Sequence, residues 1–504
     1  MNADISGSSV LLAKRASAAL AAVLALASCA VGPDFKPPAA PAVDAYTPAP
    51  MPQQTVSAPG AAGAAQSFAV GQDIPAQWWR IFHSEALDGL IRASLVQSPN
   101  LAAAQAALRV AQETLKAQTG ALLYPNVGAE LGVTRETANL FSPVAPSSSL
   151  LTLYNASVNV SYKLDVFGAS RRELEGLSAG VDYQRFQVEA AYLALTSNLV
   201  TTAIKEASLR AQLQATREVL AAQERQLAII EKQFAAGAVA RSTVLVQRTQ
   251  VAQTRATVPP LEKFLAQTRH QLSVYAGKLP SESGMPEFQL DSLQLPTDLP
   301  VSLPSSLVRQ RPDIQASEAL LHAASAQIGV ATANLYPQIT LSGGIGSAAL
   351  QAGNLFGSGS GIWSVAAGLL QPIFNGGSLT AKRRAAIAAY DQAAAQYRET
   401  VLTAFQNVAD SLRALDLDAS TLKAQADAES LARESLELAT RQYRLGALSY
   451  LVLLDAQRAY HLARVGLVQA QSVRYADTAA LFQALGGGWW NRGPLTDISE
   501  TIHD

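Results

Sequence analysis

The sequence predicts a mainly α-helical protein whose chain also supplies four strands to a membrane β-barrel. Three observations predict this class. The chain opens with an export signal, four short stretches alternate apolar and polar residues as strands do, and two proline-free helical stretches run for about 65 residues each. Helices of that length are unusual in a compact globule. Alternating strands in an exported chain favour a membrane barrel.

The export signal occupies residues 1–28 and ends at the single cysteine of the chain, Cys29. Its apolar run, residues 16–27, follows a basic pair and is too short to cross a bilayer. Leu26-Ala27-Ser28-Cys29 fits the lipobox of bacterial lipoproteins, so we expect Cys29 to become the N-terminus and to carry diacylglycerol and palmitate. By the same resemblance, Ala30 favours the outer membrane. The alternative is an ordinary signal peptide with a fortuitous cysteine.

Composition excludes several classes of function. The formal net charge is −1, with 38 Lys+Arg against 39 Asp+Glu, so no basic field suggests a nucleic-acid partner. The five histidines are scattered, which argues against a metal site or a Ser/His/Asp triad. A glycine-rich run at residues 353–361 lacks the strand-then-helix context of a phosphate loop. We therefore expect no enzyme and no cofactor apart from the lipid on Cys29.

The chain contains an internal duplication. Ser98-Pro99-Asn100-Leu101 opens a helical stretch, and Arg311-Pro312-Asp313-Ile314 opens another. Phe234-Ala235-Ala236-Gly237 is echoed by Tyr443-Arg444-Leu445-Gly446. Such pairs recur at a spacing of about 210 residues. The expected order is a signal (1–28), an extended N-terminal tether (29–73), a first repeat (74–277), a Pro-rich linker (278–311), a second repeat (312–485) and a tail (486–504).

Each repeat carries two candidate strands. Residues 154–164 alternate strictly over about eleven positions, the length that a tilted strand needs to cross a bilayer. Residues 127–134 alternate likewise, and the second repeat has counterparts at 338–347 and 362–370. Alternation alone also fits a soluble hairpin. In a bilayer, four strands cannot close a barrel, and open edges leave backbone groups unpaired, so the chain must oligomerise.

The long helical stretches are residues 170–234 and 378–445. Ser170-Arg171-Arg172-Glu173 predicts a capping box at the start of the first. In the second, apolar residues between 401 and 426 recur at alternating spacings of four and three residues. This heptad pattern predicts the seam of a coiled coil. Each stretch ends at a glycine, Gly237 or Gly446, and returns as an antiparallel partner.

Six motifs together resemble the TolC-like outer membrane factor family, in its lipoprotein (NodT- and OprM-like) branch. They are Val31-Gly32-Pro33-Asp34-Phe35, Trp78-Trp79-Arg80-Ile81-Phe82, Leu303-Pro304-Ser305-Ser306-Leu307 with Arg311-Pro312-Asp313-Ile314, Pro372-Ile373-Phe374-Asn375-Gly376-Gly377, Leu454-Asp455-Ala456-Gln457-Arg458, and Ala484-Leu485-Gly486-Gly487-Gly488-Trp489. The resemblance covers essentially the whole mature chain. It implies a homotrimer with a twelve-stranded outer-membrane barrel on a long α-helical periplasmic coiled-coil tunnel.

The resemblance also implies partners and sites. A periplasmic adaptor (membrane fusion protein) would dock on the helix-turn tips, represented by Gly237, Arg241, Arg444 and Gly446, and would link the channel to an inner-membrane pump of the resistance–nodulation–division type. The alternative for the tips is simple helix reversal. A sealed aperture is expected at Asp410, Leu412, Leu415 and Asp416, where leucines would form an apolar plug and aspartate rings would exclude anions or bind cations. The alternative for these aspartates is a solvated outer face.

The function that follows is a lipid-anchored outer-membrane exit channel with a long periplasmic extension, which passively conducts small molecules or drugs delivered by the adaptor and pump. Two alternatives stay open. One is the outer-membrane duct of a type I protein secretion system, and the other is a structural coiled-coil lipoprotein that bridges envelope layers. The four amphipathic strands argue against the second.

Overall fold

The structure is a computed structural model that describes residues 30–140, 147–282 and 284–493. Cys29, the signal before it and the end of the tail lie outside the described residues. Contacts divide the chain into two compact units. The first contains residues 30–38, Ala107–Gln184 and Ala316–Arg398, and the second contains residues 39–106, Arg185–Gln315 and 399–493.

Helices dominate the described chain. In chain order they are α1 (Glu85–Gln97), α2 (Pro99–Leu123), α3 (Ala169–Ala235), α4 (Arg241–Tyr275), α5 (Pro304–Gln310), α6 (Pro312–Ala333), α7 (Ser378–Arg444) and α8 (Tyr450–Ala484). The two 67-residue helices, α3 and α7, confirm the two long proline-free stretches. Each corresponds to about 100 Å of helix at 1.5 Å per residue. Within the described residues, no helix is long and apolar enough to cross a membrane.

The strands form two sheets. They are β1 (Ser67–Val70), β2 (Asn126–Leu140), β3 (Ser147–Leu164), β4 (Asp298–Val301), β5 (Gln338–Ala349) and β6 (Gly361–Leu370). The four predicted strands become one antiparallel sheet in the order β2-β3-β5-β6, so the strands of the two repeats pair with each other. The short strands β1 and β4 pair in parallel in the second unit.

The capping box predicted at Ser170–Glu173 is wrong. Helix α3 begins one residue earlier, at Ala169, and its free N–H groups have another acceptor. The backbone N–H groups of Ser170 and Arg171 donate to the two carboxylate oxygens of Asp165, at 3.0 and 2.9 Å. An aspartate ahead of the helix thus satisfies two of its first N–H groups and adds a negative charge beside the positive end of the helix dipole.

The register of the four-stranded sheet places apolar residues on one face. Val127 lies opposite Val160, Val158 opposite Ile345, and Ile345 opposite Trp363. Directly opposed residues of an antiparallel sheet point to the same side. Many of these side chains are exposed, including Trp363 at 79%. The opposite face carries mainly Ser, Asn, Thr, Gly and Ala, for example at Asn155–Gly132 and Ser342–Ala366.

The second unit holds a helical core. The aromatic motif at Trp78–Phe82 is buried, and Trp78 stacks on Phe482 of α8 with ring centroids 5.5 Å apart. The heptad seam of α7 is confirmed: apart from half-buried Phe405, its residues from Val401 to Ala426 are buried. The seam is therefore filled by packing within this unit.

A buried arginine fixes part of the N-terminal segment to the helical core. Arg474 of α8 is fully buried, and its guanidinium donates to the carbonyls of Ala62 and Ala64 and to Oγ1 of Thr55, at 2.6, 2.7 and 2.9 Å. A buried cation needs such acceptors, because leaving it unpaired is costly. The Pro-rich segment between the repeats also holds the N-terminal segment in place, because its strand β4 pairs with β1 of that segment.

Candidate docking tips, aperture and anchor site

The two helix-turn tips have the same backbone geometry. At the first, Ala238 N–H donates to the carbonyl of Gln233 and Gly237 N–H to that of Phe234, at 2.8 and 2.9 Å. This pair of bonds is the Schellman motif, which closes a helix end around a residue with positive φ. Gly237 has φ +75°. A side chain here would strain the backbone, so the glycine is required by conformation.

The second tip repeats this pattern one duplication later. Ala447 N–H donates to the carbonyl of Gln442 and Gly446 N–H to that of Tyr443, at 2.9 and 3.0 Å, with Gly446 at φ +74°. Both glycines are exposed, and so are the predicted docking residues Arg241 and Arg444. Leu445 beside them is 83% exposed. The tips therefore present basic and apolar groups on a rigid turn.

Two hydrogen bonds connect the hairpins close to these tips. The hydroxyl of Tyr450 on α8 donates to Oε1 of Gln247 on α4. About two turns further along α8, Nε of Arg458 donates to Oε1 of Gln250 at 2.7 Å. Both glutamines are buried, and burial raises the pKa of Tyr450, so its hydroxyl stays a neutral donor. Tyr443 packs edge-on against Tyr450 with centroids 5.7 Å apart.

Sequence reasoning did not single out Gln247 and Gln250. A signal for them exists, because both glutamines fall on the apolar face of α4 beside Val244 and Val251. Polar residues on a buried face need a hydrogen-bond partner. The partner itself is about 200 residues away in the chain, and no local pattern reveals it.

The four residues predicted for the aperture lie in different environments. Leu412 and Leu415 are buried at 4% and 0% exposure as part of the heptad seam of α7. Asp410 is exposed, and Asp416 is half-buried beside Arg413, with an ion-pair distance of 3.3 Å. The two leucines pack inside the unit, whereas the two aspartates face outward. The structure does not bring all four to one surface.

A carboxyl pair lies close to these positions. Burial raises the pKa of Asp418 to about 7, and a hydrogen bond with Asp477 of α8 adds to the shift. Arg474 lies near enough to oppose it. Oδ2 of Asp418 is buried and has no hydrogen-bond donor among the described residues. A proton shared with Asp477 provides the missing donor.

The residues just after Cys29 are held against the first unit. Asp34 accepts from Nη2 of Arg172 at 2.6 Å, and the ring of Phe35 stacks on His322 at 4.3 Å. Gly32 packs directly on Gly329: a Cβ at Gly32 would lie 2.5 Å from the Cα of Gly329. We call the Val31–Phe35 motif the docking segment, because an ion pair, a ring stack and a close glycine contact hold it against the first unit.

The membrane-type sheet and the paired helical hairpins define a class of outer-membrane channel, and comparisons identify the family. Residues 90–278 and 303–487 match the outer membrane efflux protein family. The chain belongs to this family. The family resemblance and the mainly helical fold class predicted from the sequence are therefore confirmed.

Relatives and solved structures agree with this assignment. The chain is 33% identical over 423 residues to the pyoverdine export outer membrane protein OpmQ of Pseudomonas aeruginosa, covering 82% of this chain and 87% of that protein. It is 30% identical over 482 residues to the probable outer membrane lipoprotein SilC of Salmonella typhimurium, covering 93% and 98%. The structure of the outer-membrane channel OprN aligns with a TM-score of 0.82 at 27% identity, covering 92% of this chain and 100% of that one. The protein is an efflux channel of the outer membrane.

Proposed function

We propose that three copies of this chain form a twelve-stranded barrel, which passes small molecules from a periplasmic adaptor and a resistance–nodulation–division pump to the outside. The observation that carries the proposal is the sheet of the first unit. Its apolar face is exposed, and its outer strands, β2 and β6, each pair with one strand only within the described residues. Both features require lipid and further strands, since open edges are not tolerated in a bilayer.

The organisation into two repeats, residues 74–277 and 312–485, supplies the matching hairpins for such an assembly. The equal geometry of the tips at Gly237 and Gly446 supports this part of the proposal. We place adaptor docking on the exposed residues of these tips, including Arg241 and Arg444. The exposed Leu445 would supply the apolar contact that a protein interface needs at its centre.

For the aperture, we place the closing contacts near the tips. The bonds Tyr450–Gln247 and Arg458–Gln250 tie the two hairpins together there. Leu451 and Asp455 follow on α8, one turn apart and exposed, which gives them one shared face. Asp410 and Asp416 would then act further along the lumen as a charged lining, because they lie about 54 and 45 Å of helix before Gly446.

The lipid on Cys29 would act as a second membrane anchor. The docking segment at Val31–Phe35 supports this role, since it fixes the chain within a few residues of the lipidation position. We therefore expect loss of Cys29 to impair sorting to the outer membrane more than conduction.

The barrel proposal is tested with two matched substitutions on β6. Val365 lies on the apolar face and is 81% exposed, whereas its neighbour Ser364 lies on the other face. Val365→Arg should abolish heat-modifiable trimers in outer-membrane fractions, because arginine at the bilayer midplane costs about 2–4 kcal/mol per copy. Ser364→Arg should keep the trimer and change only the single-channel conductance. Equal behaviour of the two variants would refute the assignment of the lipid-facing side.

A further inference from the structure

A cavity of about 420 Å³ lies between α3, α7 and α8 in the second unit, close to the tips. Its apolar lining includes Val219 and Ile229 of α3 and Leu436 of α7. Polar groups converge on it from all three helices, among them Tyr460 of α8. A cleft of this size in which apolar side chains and convergent polar groups meet is suited to a small amphipathic molecule.

One polar side chain in this cavity is buried and unsatisfied. Gln223 is 1% exposed, and neither Oε1 nor Nε2 of its amide has a hydrogen-bond partner in the described chain. Its backbone carbonyl, by contrast, accepts a bond of 2.9 Å from Gln247. A buried amide without partners loses about 1–3 kcal/mol of solvation, and a ligand that bonds to it would recover that loss.

The charges around the cavity are predominantly positive. Arg225, Arg444 and Arg464 line it, against Glu218. Arg464 is partly neutralised, since Nη1 lies 4.0 Å from Glu429. No carboxylate of the described residues lies within ion-pair distance of Arg225 or Arg444. The excess of unpaired guanidinium favours an anion.

Helix rise places Gln223, Arg225 and Arg464 at similar distances from the tip ends of their helices. Gln223 lies about 18 Å of helix before the end of α3, and Arg225 about 15 Å. Arg464 lies about 21 Å after the start of α8. The only lining carboxylate, Glu218, is further from the tip and already accepts from Gln214 at 3.0 Å. The level of Gln223 is therefore where an anionic head would meet Arg225 and Arg464, with an apolar body toward Ile229.

We propose that this cavity is a binding site for a small organic anion, with one carboxylate or sulfonate and a flat apolar body. Arg225 and Arg464 hold the anionic head, the Gln223 amide donates to it, and the apolar lining holds the body. Such a ligand contacts α3 of the first hairpin and α7 and α8 of the second at once. Its binding therefore braces the two hairpins near their tips.

The probe for this site is naphthalene-2-sulfonate, titrated by isothermal calorimetry into the full-length protein in lipid nanodiscs. We expect saturable binding of one probe per chain. The neutral isostere naphthalene-2-sulfonamide should bind at least tenfold more weakly, because it lacks the charge but keeps the ring. No saturable binding, or equal binding of the two probes, would overturn the proposal.

Substitutions locate the binding. Arg225→Ala should weaken the sulfonate about tenfold, and Gln223→Leu, which keeps the side-chain volume, should weaken it several-fold. Arg248→Ala is the matched control: it removes an exposed arginine of α4 that pairs with Glu231 at 2.7 Å and does not line the cavity. Its affinity should equal that of the wild type. Should all three variants bind alike while remaining folded by circular dichroism, the probe binds elsewhere and the assignment is wrong.

Discussion

The carboxyl pair of Asp418 and Asp477 makes the stability of the helical unit depend on pH. Burial, with a contribution from Asp477, raises the pKa of Asp418 from its ordinary value of 3.8 to about 7. The charged groups that face it are Asp477 and Arg474, both on α8, and the guanidinium of Arg474 is committed to the carbonyls of Ala62 and Ala64. The aspartate therefore keeps its proton in the folded protein at pH values where an unfolded chain has lost it.

The sign and size of the effect follow from linkage. Between about pH 4 and about pH 7 the unfolded chain releases this proton and the folded protein retains it, so stability falls as pH rises and is level above about pH 7. A shift of about three units corresponds to about 4 kcal/mol at most. Because the Asp418 carboxyl is only half-buried, solvent screening reduces this to about 1–2 kcal/mol.

The substitution Asp418→Asn removes the titration and keeps a donor for Asp477. We expect the variant to be about 1–2 kcal/mol more stable than the wild type near pH 8. Near pH 5 the advantage should be clearly smaller. The measurement is thermal unfolding in detergent, followed by circular dichroism at both pH values.

The matched control is Asp416→Asn on the same helix, which removes an outward-facing ion pair with Arg413. Such exposed pairs contribute little. Its difference from the wild type should not change between the two pH values. If Asp418→Asn has the same effect at both pH values, or destabilises the protein near pH 8, the shared proton is not what sets the pKa of Asp418.

Three further predictions concern the tips, the hairpin bonds and the docking segment. Gly446→Leu forces a side chain into φ +74° at about 1–2 kcal/mol, so efflux measured as drug resistance should be lost while the trimer persists; resistance that persists would contradict docking at this tip. Arg458→Leu removes the donor to Gln250, and we expect a severalfold rise in single-channel conductance in planar bilayers, whereas an unchanged conductance would rule out this bond as a closing contact. Gly32→Leu places a side chain against Gly329, which should release the docking segment and accelerate its cleavage by proteinase K; equal cleavage rates would show that the close approach is dispensable.

Local patterns were sufficient for the long helices and for the four strands of the larger sheet, but not for the short pair β1 and β4. The absence of proline and the heptad seam predicted α3 and α7, and period-two alternation predicted all four strands of the sheet. The strands extend beyond the alternating segments, to Leu140 in β2 and back to Ser147 in β3. Hydrogen bonding to a neighbouring strand extends a strand past the point where alternation ends, and a single-sequence pattern does not contain that neighbour.

The candidate sites were less accessible from the sequence. Leu412 and Leu415 belong to the heptad seam, and seam residues pack against neighbouring helices, so the same periodicity that predicted the seam argues against a luminal plug. The predicted tips were located by their glycines, because a backbone with positive φ strongly favours glycine in the sequence. No sequence pattern indicates the carboxyl pair of Asp418 and Asp477, since each aspartate alone fits an ordinary helix surface.

The sequence by itself determined the elements and the duplication, because helix and strand periodicity, proline placement and glycine turns are properties of neighbouring residues. It also predicted four strands per chain, which leave two open edges in a sheet that does not close on itself. Only the tertiary structure decided which distant polar groups meet: Gln247 with Tyr450, Gln250 with Arg458, and Asp34 with Arg172. These partners are separated by more than a hundred residues, and the packing of the folded chain, which no local pattern encodes, is what brings them together.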